Sequence, residues 1–252
     1  MTIARFEVPD WIRSVLICDP TDIWGNVVGM GLAELAAVLS PTNRFDRRGD
    51  VVFWDSFEDG LGKWTAEISG ANSAVEITSL NSRYGGLACK LTAHATAGDY
   101  AGISSAINLS QTTPIGLEYS FSQTLGNVYI ELWLLYFTGT KKFYGKVRYN
   151  RTTATLQYLN SLDVWTNLST TLNLYASSDI AHTWKLVVDP STGKYVRLLI
   201  DSNAFDLSAY SLLSANDTTE PAILPNLYLT NNSTTLRSIR VDDIIITQNE
   251  PA

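Results

Sequence analysis

The run His182–Asp201, read as HTWKLVVD, PSTG and KYVRLLID, decides the fold class. Two segments rich in Val, Leu, Ile, Tyr and Trp flank Pro190-Ser191-Thr192-Gly193. Proline presets φ for a turn and glycine supplies the positive φ that closes it, so the run reads as an antiparallel hairpin. In its first arm Trp184, Leu186 and Val188 alternate with Thr183, Lys185 and Val187. That period of two predicts one buried face and one that is at least partly wet.

Outward from the hairpin the same grammar holds from about Asp55 onward. Short runs of Val, Ile, Thr, Tyr and Trp recur between Gly, Asn, Asp and Pro punctuation. They predict strands over Ala74–Thr78, Ala88–Thr92, Ile115–Gln123, Val128–Phe137, Lys142–Tyr149, Thr155–Leu159, His182–Val188, Tyr195–Ile200 and Ile239–Thr247. Strands so spaced, without helices between them, indicate an all-β sandwich or barrel.

Composition agrees with a large folded domain. The chain has 252 residues, 45% of them hydrophobic and only 17% charged, against roughly 25% charged in a typical domain. Ser, Thr and Asn fill the difference. A net charge of −7 and a pI near 4.8 argue against nucleic acid or an anionic membrane as the main partner. Two cysteines, Cys18 and Cys89, make no disulfide framework, and two histidines, His94 and His182, are too few for a His-rich metal centre. The start, MTIARFEVPDWIRSVLICDP, lacks the basic and then apolar pattern of a secretory leader, which predicts a chain made in the cytoplasm.

The first fifty residues depart from the β grammar. Thr2–Cys18 gathers apolar residues around Pro9, and MGLAELAAVLS, ending at Ser40, reads as one short helix stopped by Pro41. A polar stretch, PTNRFDRRGD, follows. The segment is too apolar for a flexible tail and too short for an independent core, so it reads as a docking arm, 1–50, leading into a sandwich, 51–252. It is expected to pack either on its own sandwich or on a neighbouring subunit or larger assembly. Trp11, Ile12, Val15, Leu16 and Trp24 are its candidate anchors.

Three stretches carry a family resemblance: Val51–Trp64 (VVFWDSFEDGLGKW), Ser82–Thr92 (SRYGGLACKLT) and Ile239–Thr247 (IRVDDIIIT). Together with the hairpin they resemble the concanavalin A-like jelly-roll sandwiches, which include lectins, glucanases, carbohydrate-binding modules and structural proteins. The resemblance implies two antiparallel sheets, with the first and last strands adjacent. In many such domains acidic residues of those strands hold a structural calcium ion. The matching residues here are Asp55, Glu58 and Asp59 at the start and Asp242 and Asp243 at the end, with Asp55, Glu58 and Asp243 the candidate ligands. Strand alternation predicts that Asp242 and Asp243 point to opposite faces. Turn capping by an ordinary acidic loop is the alternative.

The glucanases of that class carry two or three carboxylates on alternate residues of one strand, and no such run occurs here. Val128–Phe137 offers Glu131 alone, with Tyr129, Trp133, Leu135 and Phe137 on its face. There is no G-x-S-x-G, P-loop, H-E-x-x-H or C-x-x-C motif. Tyr129, Glu131, Trp133, Tyr144 and Tyr158 are candidates for a glycan-binding platform; the competing reading is that the aromatics fill the interior. Finally, VPDWIRSVLICDP followed by PTNRFDRRGDVVFWDSFEDG resembles the layout of bacteriophage virion proteins, decoration and minor structural proteins in particular. That layout implies a virion location, a major capsid or other virion protein as partner, and self-association, a trimer being one form. An arm burying on the order of 1,000 Å² of apolar surface, at ~25 cal/mol per Å², clamps without any enzyme-like site. The expected function is a non-enzymatic capsid decoration protein with no cofactor besides a possible calcium; the alternatives are a host-glycan-binding module and a glycan hydrolase or lyase.

Overall fold

The hairpin is present in the computed structural model, which describes residues 48–83, 85–108, 112–123 and 126–251. All of these lie in one compact unit, Arg44–Ala252. Seventeen strands follow in chain order: β1 Asp50–Asp55, β2 Thr65–Ile68, β3 Ala74–Thr78, β4 Ala88–Ala93, β5 Tyr100–Ser104, β6 Ile107–Asn108, β7 Ile115–Gln123, β8 Val128–Phe137 and β9 Lys141–Asn150, then β10 Thr155–Leu159, β11 Trp165–Ser169, β12 Ser177–Asp189, β13 Lys194–Ile200, β14 Asn203–Asp206, β15 Leu213–Asn216, β16 Ala222–Asn231 and β17 Arg237–Gln248. Asp189 pairs with Lys194 across the PSTG turn, and Gly193 closes it at φ +66°. The Asp189 carboxylate accepts from the Ser191 amide and from the Ser191 and Thr192 hydroxyls. Partial burial alone would raise its pKa, but these donors outweigh that and hold it below the usual carboxylate value.

The strands form two antiparallel sheets. The first, of eight strands, runs β14-β13-β12-β7-β17-β4-β3, with β1 also on β17. The second, of nine, runs β11-β10-β9-β8-β16-β5-β2, with β15 on β9 and β6 on β16. Alternate residues of each supply the core between them: Leu117, Tyr119 and Phe121 of β7 and Trp184, Leu186 and Val188 of β12 from one side, Ile130, Leu132 and Leu134 of β8 and Leu227 and Leu229 of β16 from the other. Among the described residues no helix is long and apolar enough to cross a membrane. The expected arm helix and the anchors Trp11, Ile12, Val15, Leu16 and Trp24 lie outside the described residues.

Two alternation-based expectations need correction. The second face of β12 is mostly covered: Lys185 is 1% exposed and Val187 0%, and Thr183 alone of the three is half-buried. The C-terminal residues cover it, and Lys185 Nζ lies 2.6 Å from Glu250 Oε1. The same carboxylate pairs with Arg197 and accepts from Thr247, while Lys185 Nζ also donates to the Arg48 carbonyl at 3.2 Å. Gly116 makes room for the carboxylate, since a Cβ there would stand 2.8 Å from Glu250 Oε1. In β17, Asp242 and Asp243 are not split into an inner and an outer residue; both are 3% exposed. A bulge between Asp242 and Ile245 inserts one residue opposite β7, and Asp243 takes it up at φ +50°.

Sequence patterning did not predict β16, because Pro225 interrupts it. The strand is nonetheless central, paired to β8 along its whole length. The Pro225 carbonyl accepts from Ser105 in the break between β5 and β6. In an antiparallel strand a residue's N–H and C=O share a side, so the missing N–H faces that break, where no ladder bond is lost.

Candidate functional site

Strand β8 sends Ile130, Leu132 and Leu134 into the core and Tyr129, Glu131 and Trp133 to the opposite face. Its neighbour β9, KKFYGKVRYN, likewise turns Val147 and Tyr149 inward, which places Lys142, Tyr144, Lys146, Arg148 and Asn150 beside the outward set of β8. Cross-strand register aligns one row across the whole sheet: Asn167 of β11, Gln157 of β10, Arg148 of β9, Glu131 of β8, Tyr228 of β16, Gly102 of β5 and Glu67 of β2.

Hydrogen bonds run along much of this row. Gln157 Nε2 donates to Asn167 Oδ1 at 2.8 Å, and Arg148 Nε donates to Gln157 Oε1 at 2.7 Å. Glu131 accepts from Thr230 Oγ1 at 2.9 Å and from Trp133 Nε1 at 3.0 Å. Tyr228 donates to Glu67 Oε2 at 2.5 Å. The Tyr228 ring packs on Trp133 with centroids 4.6 Å apart and edge-on to Tyr100 at 5.7 Å.

Cations cap the aromatic rings. Lys146 Nζ stands 3.6 Å from the Trp133 centroid, and Arg148 Cζ lies 4.5 Å from Tyr129 and 4.2 Å from Trp165. Lys142 Nζ is 4.9 Å from Phe137 and 4.8 Å from Tyr144. Each contact is a cation–π arrangement. Burial raises the Glu131 pKa, against the lowering effect of Thr230, Trp133, Arg148 and Lys146. Burial lowers that of Lys146, against the Glu131 and Asp163 charges. Tyr228 is held well above the ordinary phenol value by burial and by its bond to Glu67.

Four of the five glycan-platform candidates, Tyr129, Glu131, Trp133 and Tyr144, therefore share one face. Tyr158 does not. It sits opposite Val147 on the inner side of β10, is 6% exposed, and packs on Tyr195 and Tyr210. Residue type suggested it, and strand phase sends it to the core. Sequence reading passed over Lys146, Arg148, Trp165 and Tyr228. The cations on alternate positions of β9 were the signal available for the first two.

The first and last strands meet as expected, with Asp55 opposite Ile244; Asp55, Glu58 and Asp242 each take their own protein donors, while Asp243 Oδ2 is buried without a hydrogen-bond partner. Asp55 accepts from Lys63 Nζ at 2.9 Å and Trp64 Nε1 at 2.6 Å. Glu58 Oε1 accepts the Gly86 and Leu87 amides at 2.8 and 2.9 Å. Asp242 Oδ2 accepts the Arg83 amide at 2.7 Å. Burial, and then the Asp242 charge, push the Asp243 pKa up to about 7. Among the described residues no three acidic, histidine or cysteine side chains are grouped to hold a metal ion.

No protein-family model matches the sequence, and no curated protein matches it. Solved structures do. An endo-β-1,4-glucuronan lyase from the fungus Trichoderma reesei superposes with a TM-score of 0.52 at 13% identity, over 79% of this chain and 95% of that one. A carbohydrate esterase from the Shiga toxin-encoding bacteriophage phi24B gives 0.49 at 16% identity, over 80% and 100%. A Bacillus licheniformis β-glucanase gives 0.47 at 10% identity, over 78% and 97%. At such identities the likeness is one of fold: the described residues form a concanavalin A-like jelly-roll sandwich of two antiparallel sheets.

Proposed function

We propose that the protein is a non-catalytic glycan-binding sandwich, held to a virion by its first fifty residues. The observation that carries the binding half is the outer face of β8 and β9, where Tyr129, Trp133, Tyr144 and Trp165 lie among Lys142, Lys146 and Arg148. Aromatic rings with polar and charged groups along a strand offer an extended polymer both contact area and orienting hydrogen bonds. The spacing of the carboxylates on this face supports the non-catalytic half. Both Glu131 oxygens accept from neutral donors. Glu67, on the same row, is three strands away, roughly 14 Å at the usual strand spacing. Paired carboxylates of glycosidases work at about 5–9.5 Å.

For the virion half, the support is the sequence layout of residues 1–50. Binding of the full chain to a glycan array, with no cleavage of any bound glycan, is the expected result. An array without a single bound glycan, or cleavage that Glu131→Gln abolishes, overturns the reading. Purified virions should contain the protein in multiple copies, and deletion of residues 1–50 should remove it from the particle.

A further inference from the structure

We infer that the ligand of this face is an acidic polysaccharide, a polyuronate whose carboxylates dock on Lys146 and Arg148, with Lys142 extending the site along β9. The inference rests on the glycan-binding reading above and narrows its ligand class.

The first ground is that the rings are not free for neutral sugar. A pyranose stacks on a bare aromatic face, but the Trp133 ring already has the Lys146 ammonium 3.6 Å from its centroid and Tyr228 packed on it at 4.6 Å. Tyr129 and Trp165 are both in contact with the Arg148 guanidinium. What the face offers a ligand is a line of cations that the rings hold in place.

A second ground is that these cations have donors to spare. Among the described residues neither Lys142 Nζ nor Lys146 Nζ makes a hydrogen bond or salt bridge, nearby acids acting on them only at longer range, and Arg148 commits only its Nε, to Gln157. Glu131, the acid among them, gives its two oxygens to Thr230 and Trp133 and makes no ion pair. The two terminal nitrogens of Arg148 form the planar fork that fits a carboxylate, while Lys146 is a point charge two residues along the same strand face. Partial burial already strips water from the Lys146 ammonium, so an anion brought to it costs little further desolvation. From Lys142 to Arg148 the strand rises roughly 20 Å, enough for several sugars in line.

Overall charge then sharpens selectivity. The chain carries −7, which repels a polyanion at long range, so charge alone does not bring one to β9. Only an anion whose groups match the spacing of Lys142, Lys146 and Arg148 gains from the site.

The test compares matched polymers on the full chain. Polygalacturonate, alginate and hyaluronate are titrated calorimetrically beside their carboxyl-reduced, neutral forms, with double-stranded DNA as an unmatched polyanion. At least one polyuronate should bind at least about tenfold tighter than its reduced form, as loss of one charge-assisted hydrogen bond implies. Lys146→Met and Arg148→Met should each weaken it by a similar factor, and Lys146→Arg should restore it. Lys142→Gln, at the strand end, provides a milder loss in a position where folding is not at stake. Equal binding of the parent and reduced polymers, or binding of DNA as tight as any polyuronate, overturns the inference while glycan binding stands. A folded Lys146→Met protein that binds like the parent overturns it as well. Failure of every glycan to bind overturns both readings together.

Discussion

The Tyr228 ring lies across Gly102, its Cδ1 only 2.2 Å from the point where a Cβ on residue 102 would stand. Gly102 thus lets Tyr228 reach over β5 to Glu67 on β2. Gly102→Ala should move the ring, and also press on the Leu227 carbonyl 2.6 Å from that point. The expected loss is about 1–3 kcal/mol by overpacking. Tyr228→Phe, which deletes only the hydroxyl, should cost about 1 kcal/mol. Urea unfolding of the two variants checks the difference, and equal stability of Gly102→Ala and the parent would sink the account.

Glu250 holds two buried cations, Lys185 and Arg197, over the outer face of the first sheet. Glu250→Ala leaves both without their carboxylate in a region where water is excluded. It should lower stability by about 3–5 kcal/mol, the usual result of breaking a buried pair from one side. Substituting Lys185→Met and Arg197→Met together with Glu250→Gln, which leaves no buried cation behind, should lose much less. Chemical denaturation of both proteins decides it.

His182 donates from both ring nitrogens, to Asp201 Oδ2 at 2.7 Å and to the Tyr175 carbonyl at 2.8 Å. Both acceptors need an N–H, so the bound form is the imidazolium. Burial opposes that charge, as does Arg151, yet the Asp201 and Tyr175 contacts outweigh them and raise the pKa above its ordinary 6.5. Because the folded value is the higher one, the stabilisation is complete below the unfolded value, 6.5, and fades as pH rises through the raised value. Thermal melts across pH 5–9 on the parent and on Asp201→Asn should show this alkaline loss in the parent alone; a flat parent profile contradicts it.

Asp243 has the same sign of pH dependence from a different cause and in a lower pH window. Its carboxyl is raised from 3.8 to about 7 by burial and by Asp242, so ionising it in the folded state costs stability as pH climbs between those values. Asn tolerates the left-handed backbone at this position. Asp243→Asn should therefore stabilise the protein by a few kcal/mol at pH 8, at about 1.4 kcal/mol per pH unit of displacement, with no gain near pH 3.5. Urea midpoints at the two pH values test this, and equal gains at both would count against it.

Much of the sandwich was legible because the residues that form strands also punctuate them. Ile115–Gln123, Val128–Phe137 and Thr155–Leu159 coincide with β7, β8 and β10. What escaped depended on tertiary context. Pro225 hid β16 because its missing donor matters only if a neighbouring strand needs it, and the sequence does not show that β5 and β6 part there. Lys185 looked solvent-facing because its partner, Glu250, lies 65 positions away in the chain. Asp242 and Asp243 obeyed alternation until a bulge shifted the phase. Of the candidate site, the aromatic and acidic members of β8 were evident from their type. Tyr158 failed on phase, and Tyr228 joined the site only through the strand that had been missed.

The pairing of Asp50 with Gln248, and the Asn249 Nδ2 donation to Asp50 Oδ2 at 2.7 Å, bring the beginning and end of the described chain to a single point. Topologically the sandwich is a near-closed ring, so it can sit inside another polypeptide as a cassette whose entry and exit share one doorway. It can also be rewired: joining the two ends and reopening the chain at the exposed Leu162 turn leaves every sheet contact in place.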